Sequence, residues 1–137
     1  VPGLSDNIRV RSIIGRFLEH SRVFYFRIGD REEYYIRSAD AMRRNLSDRV
    51  QILAPVEDPK SRELLRFLLD TQLGDRRSAW EMCPDGSYRQ LRPASENEEI
   101  GSQERLLQWT EKRHRKASKV LRRKPRVLGP RDGSQRV

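Results

Sequence analysis

The positive charge of this chain is confined to its last fifth, and that separation limits which residues can fold together. The net charge of +9 comes from 29 Lys and Arg residues against 20 Asp and Glu residues. Residues 111–137 hold 11 basic and 2 acidic residues, whereas residues 1–110 hold 18 of each and are neutral. A segment of mutually repelling cations that also contains two prolines and two glycines has little to bury. The sequence therefore predicts one folded domain over residues 1–110 and a basic, disordered tail over residues 111–137.

Composition and short motifs exclude several classes of protein. No apolar run reaches the roughly 18 residues of a membrane-spanning helix, and no secretory signal is visible at the N-terminus. A single cysteine, Cys83, excludes an intrachain disulfide and fits a reducing compartment. We therefore expect a cytoplasmic location, with peripheral attachment to a membrane as an open alternative. His20 and His114 lie far apart, so no cluster of metal ligands is predicted, and no glycine-rich nucleotide loop is present.

The first forty residues predict a helix followed by a pair of strands. Apolar residues between positions 8 and 18 are spaced as on one face of a helix, which we expect to end near Glu19. The continuous apolar run 23–26 predicts a central strand that is buried on both faces. Residues 34–36 predict its partner, and Gly29-Asp30 predicts the turn between them.

The second half of the domain predicts a strand, a helix, a hairpin and a last helix. Residues 50–56 are largely apolar and predict a third strand, which a proline closes. Asp58-Pro59 predicts the start of a helix, and Gly74 predicts its end. The segment 79–91 has turn residues at its centre and predicts a small hairpin. Residues 96–99 are an acidic helix start, and the helix that follows is expected to extend toward the basic tail. This order indicates an α/β fold.

Groups that can act on phosphate are concentrated around His20. This histidine precedes the strand that is expected to be central, and strand ends are where α/β proteins place reactive groups. Arginine makes bidentate contacts with phosphate oxygens, and histidine transfers protons near neutral pH. The residues alone suggest a phosphate site, and they leave open that His20 is a hydrogen-bonded structural residue. The other polar groups at strand ends and in the following loop are Arg22, Ser38, Asp40, Arg43, Arg44, Asn45 and Arg49.

Several runs together resemble the C-terminal catalytic domain of bacterial polyphosphate kinase. The first is VPGLSDNIRVRSIIGRFLEHSRVFYF at residues 1–26, and the second is YIRSADAMRRNL at residues 35–46. They are followed by Arg49-Val50 and by PVEDP at residues 55–59. The resemblance is close over residues 1–92 and looser over residues 93–110, and the segment from Glu111 is not part of it.

The resemblance implies a fold and an activity. The fold would be half of a phospholipase-D-like mixed sheet flanked by helices, with the small hairpin, the C-terminal helix and the basic tail added. The enzymes of this family reversibly transfer the terminal phosphate of ATP to inorganic polyphosphate through a phosphohistidine, with Mg²⁺. That histidine belongs to a preceding domain, and no position of this chain corresponds to it. The chain is therefore expected to be an inactive fragment of an enzyme that forms a homo-oligomer.

The resemblance also assigns site residues. His20 matches a second histidine, which contacts the nucleotide's phosphates and assists proton transfer, and Arg49 matches an arginine of the same pocket. Arg22, Asn45 and Gln51 are further candidates for contact with ATP or phosphate. No metal ligand is assigned, and Mg²⁺ is expected to bind mainly to the part of the protein outside this chain.

Three positions depart from the family pattern, and two alternative functions stay open. Gln51 replaces an acidic residue, Ala41 a tryptophan and Arg37 a serine. These departures and the basic tail also fit a non-catalytic module that binds polyanions, including nucleic acid and acidic membranes. A phosphodiesterase of the phospholipase D type is the other alternative, although such enzymes carry His-x-Lys and this chain has His20-Ser21-Arg22.

Overall fold

The computed structural model describes residues 3–38, 42–43, 47 and 50–123, with the backbone alone described at residue 97 and at residues 120–123. Two compact units are present, Val1–Leu106 and Leu107–Val137. The strands are β1 (Arg11–Ile13), β2 (Val23–Ile28), β3 (Arg31–Arg37), β4 (Leu53–Pro55), β5 (Ala79–Met82) and β6 (Tyr88–Gln90). The helices are α1 (Pro59–Leu73), a short 3-10 helix (Glu96–Glu98) and α2 (Ser102–Arg123).

The strands form two antiparallel sheets of three strands each, in the orders β1-β5-β6 and β2-β3-β4. The α/β class is therefore confirmed, but the predicted mixed sheet is wrong for the residues that the structure describes, because every pairing there is antiparallel. Hairpins join β2 to β3 and β5 to β6, and hairpin connections produce antiparallel pairs. The β1-β5 and β3-β4 pairings join strands that are farther apart in the sequence.

The β2-β3 hairpin has the predicted turn but not the predicted burial. Val23 pairs with Ile36 and Ile28 pairs with Arg31, so Gly29-Asp30 is a two-residue turn in which Gly29 has a φ of 61°. β3 is the central strand of its sheet and β2 lies at the edge. The second half of β2 is exposed, so the prediction of a central strand buried on both faces is wrong. An apolar run alone does not say which of two paired strands has a neighbour on both sides.

The predicted N-terminal helix is also wrong, because its middle is strand β1. Arg11 pairs with Glu81 and Ile13 pairs with Ala79, a long-range partnership that sequence periodicity does not reveal. Isoleucine and valine flank the segment, and β-branched side chains favour strands over helices. Gly15 then interrupts any helical pattern. The apolar residues thus reflect a short strand followed by turns.

Helix α1 forms as the sequence predicts. The Asp58 carboxylate accepts hydrogen bonds from the backbone N–H and the hydroxyl of Ser61, each at 2.8 Å, and Pro59 follows this cap. Gly74 ends the helix and donates to the carbonyl oxygen of Asp70 at 2.9 Å. The hairpin around Gly86, which has a φ of 84°, is confirmed as well.

The buried residues of the first unit include two polar side chains. Tyr34, Ala79 and Leu91 are buried, and so are the polar residues Asp75 and Ser102. Asp75 accepts hydrogen bonds from three backbone N–H groups, one of which belongs to Ser102 at the first turn of α2. The carboxylate therefore connects the loop after α1 with the start of α2.

Helix α2 extends into the segment that the sequence predicts to be disordered. Residues 111–123 are helical, whereas residues 124–137 lie outside the described residues. Lysine and arginine are good helix formers, and Glu111 and Arg115 form an ion pair one turn apart at 3.7 Å. Across the described ranges, no helix is both long enough and apolar enough to cross a membrane.

Candidate functional site

Residues that flank three strands meet at one end of the β2-β3-β4 sheet. Because β2 and β3 are antiparallel, the N–H of Arg37 donates to the carbonyl oxygen of Arg22 at 2.9 Å. The end of β3 likewise adjoins the start of β4, where the N–H of Ser38 donates to the carbonyl oxygen of Ile52 at 3.1 Å. Segments that lie far apart in the sequence are therefore neighbours at what we call the His20 end of the sheet.

His20 lies three residues before β2 at this end, and its side chain is exposed. The Arg22 guanidinium donates from Nη1 to the carbonyl oxygen of His20 at 3.1 Å. This hydrogen bond holds a half-buried arginine against the stretch of backbone that carries the imidazole. An exposed ring suits a histidine that meets a ligand better than one packed in a core, and the phosphate-contact role of His20 stays a prediction.

A second contact joins the segments after β3 and before β4. The Ser38 hydroxyl donates to Oε1 of Gln51 at 3.3 Å, and the N–H of Ile52 donates to Oγ of Ser38 at 3.2 Å. A carboxylate in place of the Gln51 amide could accept the same hydrogen bond from Ser38. Compared with a carboxylate, the neutral amide of Gln51 therefore makes the His20 end less negative and keeps the contact with Ser38.

The structure brings together three of the five predicted site residues. His20, Arg22 and Gln51 flank paired strands at the same end of the sheet. Arg49 and Asn45 lie outside the described residues, as do the other loop positions Asp40, Ala41 and Arg44.

The His20 end presents groups that suit an anionic ligand. Arg22 and Arg37 are half-buried cations on adjacent backbone segments, and Ser38 and His20 are exposed polar groups. One guanidinium group can donate two N–H groups to the oxygens of a phosphate. An imidazole can donate or accept a proton near neutral pH. The carboxylate of Glu19 accepts a hydrogen bond from the Ser21 hydroxyl at 3.4 Å. The arrangement can hold a phosphoryl group at the rim of the sheet.

The described residues do not offer a site for a metal ion. No group of three or more His, Cys, Asp or Glu side chains is placed to hold a metal within residues 3–38 and 50–123 or at the described positions between them. Mg²⁺ prefers carboxylate, phosphate and water oxygens in an octahedral arrangement.

A polar cluster that the sequence does not predict lies near the turn end of the β2-β3 hairpin. Tyr25 donates to Oε1 of Glu32 at 2.7 Å, and Nη1 of Arg66 donates to the Tyr25 hydroxyl at 3.0 Å. The hydrogen bond from Tyr25 lowers the pKa of Glu32, and the positive charge of Arg66 lowers it further. The same hydrogen bond raises the pKa of Tyr25. Arg66 lies on α1 and also donates to Asp70 of the same helix at 2.9 Å. Its hydrogen bond to Tyr25 therefore attaches α1 to the hairpin.

Comparison with known proteins places the chain in a family. A family model described as "Polyphosphate kinase C-terminal domain 2" matches residues 1–103. The polyphosphate kinase of Thermosynechococcus vestitus is 53% identical over 110 residues, which are 80% of this chain and 15% of that protein. The polyphosphate kinase of Pseudomonas aeruginosa is 47% identical over 108 residues, which are 79% of this chain and 16% of that protein.

A solved structure has the same fold. The crystal structure of polyphosphate kinase from Porphyromonas gingivalis matches with a TM-score of 0.74 and 31% sequence identity. The match covers 82% of this chain and 17% of the crystallised chain. The chain thus spans roughly one sixth of the length of these relatives.

Proposed function

Because the chain belongs to the polyphosphate kinase family, we propose that it supplies one side of the phosphate site of a polyphosphate kinase. The full-length enzyme would reversibly transfer the terminal phosphate of ATP to inorganic polyphosphate. The observation that carries the proposal is the exposed His20 beside Arg22 at one end of the sheet. An exposed histidine next to a fixed cation can meet phosphate oxygens held by another part of the protein.

The proposed roles follow from the chemistry of each side chain. His20 contacts the transferring phosphate and moves a proton at its attacking or leaving oxygen. Arg49, two residues before Gln51 in the sequence, neutralises charge that builds up on the phosphoryl oxygens. Arg22, Asn45 and Gln51 help to orient the nucleotide's phosphates. The phosphohistidine forms on a residue outside this chain, so the chain alone turns over no ATP.

Further parts of the proposal concern fold and surroundings. We interpret the domain as one half of a phospholipase-D-like pair, in which each half contributes one histidine to a shared site. The full-length protein would be a cytoplasmic homo-oligomer. Mg²⁺ would bind elsewhere in that protein, and no role proposed for His20 or Arg49 depends on it.

The test replaces His20 with alanine in the full-length protein and measures polyphosphate synthesis from ATP. General acid–base and phosphate-contact roles predict a loss of rate of about 10²-fold or more. His114→Ala is the matched control, because it removes an equally exposed imidazole from α2 and should leave the rate unchanged. A His20→Ala enzyme that works at the parental rate would show that His20 is not part of the site.

A further inference from the structure

The second half of helix α2 presents a row of cations on one face. Each of the residues Lys112, Arg115, Lys116 and Lys119 has another of the four three or four positions away, and at 100° per residue all four fall within an arc of about 100°. Residues at such spacings are neighbours along the helix surface. We call these four residues the α2 cationic face. It places four positive charges on one side of the helix within about two turns.

The charges of this face are directed to solvent. Lys112, Lys116 and Lys119 are exposed, and the side chain of Arg115 is 78% exposed. Glu111 is the single acidic residue between positions 111 and 123, and it pairs with Arg115 at 3.7 Å. Such an exposed pair is weak. Most of the positive charge on this face therefore remains available to a partner.

The surrounding residues indicate which kind of polyanion fits. Between positions 110 and 116 the helix carries no apolar residue, so it lacks the continuous apolar face with which amphipathic helices enter a lipid surface. After Trp109 the helix contains no Phe, Tyr or Trp, and the Arg113 guanidinium already lies 5.1 Å from the centre of the Trp109 ring. The helix therefore offers no large aromatic platform for the stacking of nucleic-acid bases. What remains is recognition of a linear chain of negative charges.

We propose that the α2 cationic face binds inorganic polyphosphate and holds the chain that the enzyme extends or shortens. The proposal rests on the proposed function for its choice of polyanion, but it concerns a different surface. The face lies beyond residues 1–103, the part of the chain that the family model matches. A linear polyanion can contact several of these side chains at once, and each contact releases bound counterions.

The test measures binding of sodium polyphosphate of defined length to the 137-residue chain at several salt concentrations. The triple variant Lys112→Gln, Lys116→Gln and Lys119→Gln keeps good helix formers on α2. We expect its affinity at low salt to fall roughly 10- to 100-fold. The slope of log affinity against log salt concentration should become shallower by about two. A triple Lys→Arg variant at the same positions should bind like the parent chain.

The matched control removes three exposed cations from the first unit. Arg9→Gln, Lys60→Gln and Arg76→Gln together change the net charge by the same amount, and this variant should lose much less affinity. An equal loss in both Gln variants would show that net charge, not the α2 cationic face, governs binding and would overturn the proposal. Single-stranded DNA or anionic vesicles that bind as tightly, through the same lysines, would overturn the choice of polyphosphate.

The two proposals can fail separately. His20→Ala should leave polyphosphate binding by the α2 cationic face intact, since it removes no member of that face. The triple Lys→Gln variant retains His20 and Arg49. Loss of synthesis without loss of binding would therefore point to the His20 end, and loss of polyphosphate binding by the 137-residue chain would point to α2.

Discussion

The buried carboxylate of Asp75 offers the sharpest test of how this domain is held together. It accepts hydrogen bonds from the backbone N–H groups of Ser102 at 2.6 Å, Ser78 at 2.7 Å and Arg77 at 2.9 Å. Asp75 is only 3% exposed and Ser102 only 2%. One side chain thus satisfies donors from the loop after α1 and from the first turn of α2.

Replacing Asp75 with alanine should leave these three donors without their acceptor. A buried donor left unsatisfied costs about 1–3 kcal/mol, and loss of a helix cap alone costs about 0.5–2 kcal/mol. Water will reach part of the space that the carboxylate vacates, so the costs are not fully additive. We expect Asp75→Ala to lower the free energy of unfolding by about 2–4 kcal/mol.

Urea unfolding of the 137-residue chain, followed by circular dichroism and extrapolated to water, measures this loss. Asp85→Ala is the matched control, because Asp85 also accepts from a backbone N–H, that of Ser87 at 2.9 Å, but lies in an exposed turn. Its unfolding midpoint should stay close to that of the parent chain. If Asp75→Ala unfolds within about 0.5 kcal/mol of the parent, or if both variants lose the same stability, the reasoning about Asp75 is refuted.

Asp75 also makes the stability of the domain depend on pH. Burial tends to raise the pKa of Asp75, but the N–H groups of Ser102, Ser78 and Arg77 outweigh it and hold the pKa below its ordinary value. The unfolded chain, with a pKa of about 3.9 for this group, binds the proton more readily. The stability that Asp75 contributes is therefore complete above pH of about 4 and is lost as the pH falls through the folded-state pKa. In the Asp75→Asn variant, this part of the acid destabilisation should be missing.

Two further substitutions test the β1-β5-β6 sheet. Gly86→Ala places a Cβ on a residue with a φ of 84° and should cost about 1–2 kcal/mol, measured by the same urea unfolding. Ala79→Leu forces a larger side chain into a position that is 0% exposed and should cost about 1–3 kcal/mol. Stability equal to that of the parent would contradict the left-handed conformation of Gly86 in the first case and tight packing around Ala79 in the second.

Local signals made some elements predictable from the sequence and long-range pairing made others unpredictable. Helix α1 could be located because Asp58, Pro59 and Gly74 mark its ends by chemistry that acts within one turn. Strand β1 could not, because its pairing with β5 depends on residues nearly seventy positions away. The edge position of β2 is a property of the assembled sheet, which no single apolar run encodes.

For the candidate site, the sequence indicates which residues adjoin a strand but not how those residues are arranged. His20 and Arg22 adjoin a strand, and that placement is visible in the sequence. The contact between Ser38 and Gln51 depends on the register between β3 and β4, which the sequence does not give. The cluster of Tyr25, Glu32 and Arg66 also depends on contacts between separate elements, which the sequence does not give. Only the spacing of Arg66 and Asp70 on α1 is a local signal.

The pairing of Ser38 with Gln51 and Ile52 has a consequence for how this domain can vary. It fastens both ends of the twelve-residue insert 39–50 to neighbouring strands. The entropy cost of closing such an insert grows slowly, by about 0.6 kcal/mol for each doubling of its length. The insert, which carries Asn45 and Arg49, can therefore change in length at little cost while β3 and β4 keep their register.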